Sequence, residues 1–327
     1  MNGMQGRLQP GHLIAGRYQV AALLGVGEMG EVYDVRDTST GYAYSLKLLS
    51  PEALRQTDAW NAYQRDAQTA AALPFETIAK SYEFGIESQT GAAYVLGEFL
   101  TMPTLVAMLQ TSGPLPIAAV EAIIRDLAPA LDQAHAAGIV HRDLKPQNIF
   151  TAPDENGIWK TRVTDFGLAN LRKMMPPPPG WVATPGWLSA EQVDPAAPAS
   201  PAMDIYALGL IAFYALTTRS PFMALNREQL DLNLLWAEMT APMPLASVRA
   251  RELGATLSPT FDPWFSKALA LSAAQRFHNV AEMSQMLFGM VGSSQHVVTM
   301  RPPAAAGNQP PRTAKGTMLM GQVGPGQ

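Results

Sequence analysis

Apolar and polar residues alternate through 17–49 in three consecutive runs, RYQVAALL, EVYDVRD and YAYSLKLL. A period of two is that of half-buried strands, and the Thr38-Ser39-Thr40-Gly41 turn separates the second from the third. No helical stretch intervenes, so the three should pair as antiparallel neighbours. Over 51–73 the period changes. Ala59, Tyr63, Asp66, Ala70 and Leu73 recur at helical spacing and share one face, which should turn toward the sheet. After Pro74 two more strand runs, KSYEFGIES and AAYVLGEF, are split by Gln89-Thr90-Gly91. The pattern predicts a five-stranded antiparallel lobe with one helix. Beyond Pro103 helical patterns dominate, over 117–137, 203–217, 227–239, 263–271 and 272–289, and 203–217 reads as a buried core helix. A strand pair lies around Asn156-Gly157, a dipeptide that favours a type I′ hairpin turn. The fold class expected is α+β, a small antiparallel lobe followed by a larger helical one.

Composition narrows the picture. At 327 residues, 47% of them hydrophobic, there is enough apolar side chain for a large core, which excludes wholesale disorder. A net charge of -4 offers no global positive field for a polyanion, so nucleic acid is not expected as a partner. The absence of cysteine excludes disulfide frameworks, cysteine zinc sites and thiol catalysis. No secretory signal is visible, and each charge-free stretch is too short or too interrupted to span a membrane, so a cytoplasmic location is expected. After about 290 the chain carries five prolines, six glycines, three basic residues and no acidic ones, which predicts a tail that does not pack. The domain division expected is a short extension over 1–16, a folded domain over 17–290 with lobes meeting near 100, and a disordered tail over 291–327.

The glycine run Gly25-Val26-Gly27-Glu28-Met29-Gly30 has a form shared by dinucleotide-binding folds, but those glycines open a helix. Here a strand, Glu31 to Val35, follows. A strand-loop-strand hairpin covers phosphates instead, its glycines letting backbone amides approach, with Val32 over a base.

At His141-Arg142-Asp143-Leu144-Lys145-Pro146-Gln147-Asn148 the chain resembles the catalytic loop of the eukaryotic-like, bacterial-type serine/threonine protein kinases, and Asp165-Phe166-Gly167 follows at a fitting spacing. The likeness runs over about 18–288 and implies the two-lobed kinase fold, ATP and Mg2+ as cofactors, and Ser/Thr hydroxyls of proteins as substrates. It implies that Asp143 accepts the hydrogen of the attacking hydroxyl, Lys145 reaches the transferred phosphate, and Asn148 and Asp165 hold magnesium. Lys47 would grip the α and β phosphates, with Ser45 where alanine is usual. Glu98 and Leu100 would offer backbone groups to adenine beside Gly97, whose missing side chain should open space behind the base. Thr184 would contact Asp143 and Lys145, the mark of serine/threonine enzymes. Glu191 should pair with Arg276, and Asp204 should anchor the catalytic loop.

Three departures matter. The acidic partner that the family sets against Lys47 is a glutamate, and the matching residue here is Asp66, one methylene shorter. Ser189-Ala190 replace alanine and proline. Finally, no Ser, Thr or Tyr occurs over 168–183, so the phosphate that Arg142 receives in many relatives has no acceptor there. Asp66 and Ser189-Ala190 leave open a pseudokinase, a module holding nucleotide or a partner without turnover, and phosphorylation of a small molecule is a third reading. Thr299, Thr313 and Thr317 in the basic tail suggest self-phosphorylation and docking of a phosphothreonine-binding partner.

Overall fold

The structure is a computed structural model that describes residues 6–27, 29–55, 57–172, 185–194 and 197–293, all within one compact unit, Met1–Ser294. Its first lobe is a six-stranded antiparallel sheet: β1 (Leu13–Ile14), β2 (Tyr18–Gly27), β3 (Gly30–Asp37), β4 (Ala43–Leu49), β5 (Ser81–Ile86) and β6 (Ala93–Glu98), in the spatial order β1-β2-β3-β4-β6-β5. Five of these were expected. The sixth, β1, lies in the stretch read as a separate extension, and that reading is corrected. Leu8 and Ile14 are buried, the Leu8 N–H donates to the Tyr33 hydroxyl at 3.0 Å, and Arg7 Nη2 donates to the carbonyls of Leu48 and Leu49 at 2.9 Å each. Residues 6–16 are therefore part of the lobe.

The alternation of side chains across the sheet separates two apolar clusters. On one face Tyr33, Val35, Leu46, Leu48, Tyr94 and Leu96 pack together. On the other, Ala93 and Val95 meet helix α1 (Thr57–Ala72) through Ala59, Tyr63 and Ala67. Lys80 Nζ fixes the far end of α1 by donating to the carbonyls of Ala71 and Leu73 at 2.7 and 2.8 Å. This satisfies acceptors that a helix C-terminus leaves open.

The second lobe contains α2 (Leu105–Ser112), α3 (Ile117–Ala136), the hairpin β7 (Ile149–Pro153) and β8 (Trp159–Val163), then α4 (Ala169–Arg172), α5 (Pro201–Thr217), α6 (Leu232–Met239), α7 (Ala246–Glu252), α8 (Asp262–Ala268) and α9 (Val280–Ser293). Helix α5 is buried on nearly every side, as its uninterrupted apolar run predicts, and one large cluster joins it to α3, α8 and α9. Three expectations are revised. The β7–β8 turn is not type I′, because Gly157 has φ +76 while Asn156 is not left-handed; Asp154 Oδ1 instead accepts from the N–H groups of Asn156 and Ile158. Helix α6 begins at Leu232 rather than 227, capped by Asp231, whose carboxylate accepts from the Leu234 N–H at 2.9 Å. The last helix starts at Val280, not 272, and runs past the expected boundary at 290. The remainder of the tail, with Thr299, Thr313 and Thr317, lies outside the described residues, as does Thr184.

Candidate active site

Between the lobes lies a cavity of about 680 Å³ whose walls come from the glycine run, β4, β6 and the segments flanking the β7–β8 hairpin. Its roof is the β2–β3 turn, where Gly27 pairs with Gly30. Gly30 sits at φ +137, and a Cβ there would fall 2.1 Å from the Leu48 carbonyl oxygen, so only glycine fits. Register then places the next groups. Lys47 pairs with Val95, and Ser45 with Gly97, so Lys47 and Ser45, two residues apart, share the cavity face.

Lys47 Nζ donates to both carboxylate oxygens of Asp165 at 2.5 Å. Asp165 holds the left-handed φ of +72, and the following Phe166 is buried against His141, ring centroids 4.7 Å apart. From below, the catalytic loop brings Asp143, whose Oδ2 lies 3.0 Å from Lys145 Nζ. Asn148 Nδ2 donates to the Asp143 carbonyl at 2.9 Å and to its Oδ2 at 3.3 Å. With its nitrogen so committed, Asn148 has its amide oxygen left as a ligand atom. The oxygens of Asn148 and Asp165 are the hard donors a magnesium ion takes, so this pair fits such an ion.

Fully buried Asp204 at the start of α5 carries the loop: it accepts from the N–H groups of His141 and Arg142 at 2.9 and 2.8 Å and from His135 Nε2 at 2.8 Å. Burial alone would raise the Asp204 pKa, but the hydrogen bond and charge of His135, the nearby His141 and the Arg142 N–H outweigh it, and the net shift is downward. Glu191 and Arg276 form the expected bidentate pair at 2.6 and 2.9 Å, the arginine also donating to the carbonyls of Ala270 and Ala202. Ser189, also buried, starts the short turn that carries Glu191.

Two readings need revision at this site. Asp66 does not pair with Lys47. Its Oδ2 accepts from Asn170 Nδ2 at 2.8 Å and lies 3.8 Å from Arg142 Nη2. The reason is steric: α1 rests on the turn after Phe166, where a Cβ on Gly167 would come within 2.9 Å of Asp66 Cβ and of the Tyr63 carbonyl oxygen. The α1 side chain that lines the cavity is Tyr63, whose hydroxyl is pushed well above its ordinary range by burial and by the charge of Asp165. At the hinge, Ser45 Oγ donates to the Glu98 carbonyl at 3.0 Å, so that acceptor is already partly used. The Glu98 carboxylate is held by Arg162 and by the Lys80 N–H. The space left by Gly97 belongs largely to this serine, since a Cβ at Gly97 would stand 3.1 Å from Ser45 Oγ.

Sequence reasoning missed Asn170, Tyr63 and Gln192, whose Nε2 donates to the Arg142 carbonyl at 2.9 Å. Asn170 carries no local signal; Tyr63 recurs on the helical face of α1 and Gln192 closes a Ser189-to-Gln192 capping box, but neither pattern reveals a partner distant in sequence.

Comparison with known proteins agrees with this geometry. Residues 18–287 match the family model described as protein kinase domain. The chain is 31% identical over 296 residues to the serine/threonine-protein kinase PknD of Mycobacterium tuberculosis, covering 87% of this chain and 41% of PknD. It is 30% identical over 272 residues to the serine/threonine-protein kinase pkn3 of Myxococcus xanthus, covering 81% of this chain and 48% of the relative. The chain thus spans less than half the length of these relatives. The crystal structure of the M. tuberculosis PknI kinase domain superposes with a TM-score of 0.66 at 25% identity, covering 87% of this chain and 99% of that one. With most of its length matched, its cavity lined by the glycine run, Lys47, Lys145, Asn148 and Asp165, and Asp143 joined to Lys145 and Asn148 beside it, the chain belongs to the protein kinase domain family.

Proposed function

We propose that this protein transfers the γ-phosphoryl group of ATP to Ser or Thr hydroxyls of protein substrates. The observation that carries the reading is the convergence on one cavity of the glycine run, the Lys47–Asp165 pair, and Lys145 and Asn148, both of which contact Asp143. In this reading the bond between the substrate oxygen and the γ-phosphorus forms, the bond from that phosphorus to the β–γ bridging oxygen breaks, and ADP leaves. Asp143 orients the hydroxyl and takes its proton, while Lys145 and Lys47 supply positive charge to a loose, charge-rich transition state. Asn148 and Asp165 would hold Mg2+, which when bound neutralises phosphate charge. The adenine would lie beside Gly97, Glu98 and Leu100, under Val26 and Val32. Protein substrates are supported by the names of the curated relatives, and a cytoplasmic location belongs to the same reading; among the described residues no helix is long and apolar enough to cross a membrane. Docking of a phosphothreonine-binding partner on the tail rests on sequence alone, and mass spectrometry after incubation with ATP tests it.

Radiolabelled transfer from ATP to a basic protein rich in Ser and Thr is the decisive assay. Wild type labels the substrate, whereas Asp143→Asn and Lys47→Met each lose at least a hundredfold with the fold intact. Nucleotide binding without transfer by wild type would instead make the chain a pseudokinase.

A further inference from the structure

The carboxylate that α1 sends toward the site does not serve the cavity lysine, and its actual surroundings give it another task. Asn170 in α4 stands between two charges. Its Oδ1 accepts from Arg142 Nη2 at 2.5 Å, and its Nδ2 donates to Asp66 Oδ2 at 2.8 Å. This orientation is the one the charges demand: reversing the amide would set its N–H against a guanidinium and its oxygen against a carboxylate. Asp66 also lies 3.8 Å from Arg142 Nη2, so the relay is reinforced by direct attraction. Lys47 is occupied by both oxygens of Asp165.

The cation so held lies at a sensitive place. Arg142 immediately precedes Asp143 and sits at φ +61, in a region that a long side chain rarely adopts and that persists only when surroundings impose it. Three hydrogen bonds impose it: the Arg142 N–H to Asp204 at 2.8 Å, its carbonyl from Gln192 at 2.9 Å, and its guanidinium to Asn170. The first two come from α5 and the short turn before it, both in the second lobe. The third connects to α1 of the first lobe, across a turn where Leu168 and Leu171 pack into the α1 cluster. The guanidinium is largely buried, its side chain 13% exposed, so an uncompensated charge there would be costly.

We infer that Asp66 is a positioning residue for the catalytic loop: through Asn170 it clasps Arg142 and couples the seating of α1 to the orientation of Asp143, with no added phosphate required. This rests on the kinase reading for its kinetic consequence but not for its structural one. The absence of Ser, Thr and Tyr over 168–183 accords with a clasp made from side chains the chain already owns.

The test uses the full chain as wild type, Asp66→Ala, Asn170→Ala and the double variant. Steady-state transfer to the basic protein should show kcat lowered at least tenfold in each single variant, KM for ATP within threefold of wild type, and the double variant no more than about threefold below the weaker single one. Additivity fails because both changes open one clasp. If Asp66→Ala raises KM for ATP while Asn170→Ala behaves as wild type, Asp66 serves Lys47 and the clasp is overturned. Hydrogen exchange of the amides of 141–144 supplies a readout independent of turnover. It should accelerate at least threefold in both single variants while 57–72 stays protected, and unchanged exchange overturns the clasp. A wild type that transfers no phosphate, with this acceleration still present in the two variants, sinks the kinase reading and keeps the clasp.

Discussion

Two aspartates hold the catalytic loop, and they hold it differently. Asp204 works from the second lobe, fully buried, with three donors converging on its two oxygens. Asp66 works from the first lobe, its side chain 21% exposed, through one amide relay and contacts of 3.7 and 3.8 Å to Arg65 and Arg142. A buried carboxylate with every oxygen satisfied is a fixed part of the scaffold, because moving it strands several donors at once. One that is partly exposed and held by a single relay can be released at smaller cost, with water taking over its hydrogen bonds. The loop is thus anchored permanently to the helical lobe and reversibly to the sheet lobe.

The largest expected effect separates the two in stability. Asp204→Ala should cost about 3 kcal/mol or more in urea unfolding, since it leaves buried N–H groups and His135 without an acceptor. Asp66→Ala should stay within about 1 kcal/mol of wild type. Equal losses would break the distinction. Acid sharpens it next. The Asp204 pKa is lower folded than unfolded, so its contribution is present in full above the ordinary carboxylate range and is lost as pH falls through the folded value. The stability difference between wild type and Asp204→Asn should therefore be constant above about pH 5 and shrink below about pH 4. A difference that widens on acidification would reverse the sign. The smallest effect is Asp66→Glu. Pairing with Lys47 predicts that restoring the methylene raises turnover or leaves it unchanged, whereas the clasp predicts a fall in kcat of about threefold, because the carboxylate overshoots Asn170 where α1 already touches Gly167.

What could be read from the residues alone follows the same division. Asp143, Asn148 and Asp165 lie in the short runs that carry the resemblance to the kinase family, and Lys47 stands on a strand that the alternation predicts, so their places in the chain were legible. Asp66 is expected on the sheet-facing side of its helix, but α1 meets the sheet through Ala59, Tyr63 and Ala67, while Asp66 faces the turn after Phe166 and its partner lies 104 residues away on a stretch without periodicity. Choosing between Lys47 and Asn170 depends on how far α1 descends, a matter of packing between Tyr63, Asp66 and Gly167. Strand β1 was invisible because two residues have no period. Helix α2 did have signals, with Thr104 accepting from the Ala107 N–H and Gly113 at φ +74 closing it, but the prolines around it concealed them. The serine at position 45 was noted as a departure, yet its bond to the Glu98 carbonyl needed the β4–β6 register.

The short strand before residue 17 has a practical corollary. The family likeness begins at residue 18, and a protein started there would lose Leu8, Ile14 and the two carbonyl contacts made by Arg7. Strand β2, now flanked by β1, would then present a row of open N–H and C=O groups to solvent, next to an apolar cluster stripped of its cover. Such a border is a template for pairing with another copy. Clumping of a shortened protein would thus report a missing selvedge on the sheet rather than any failing of the catalytic machinery.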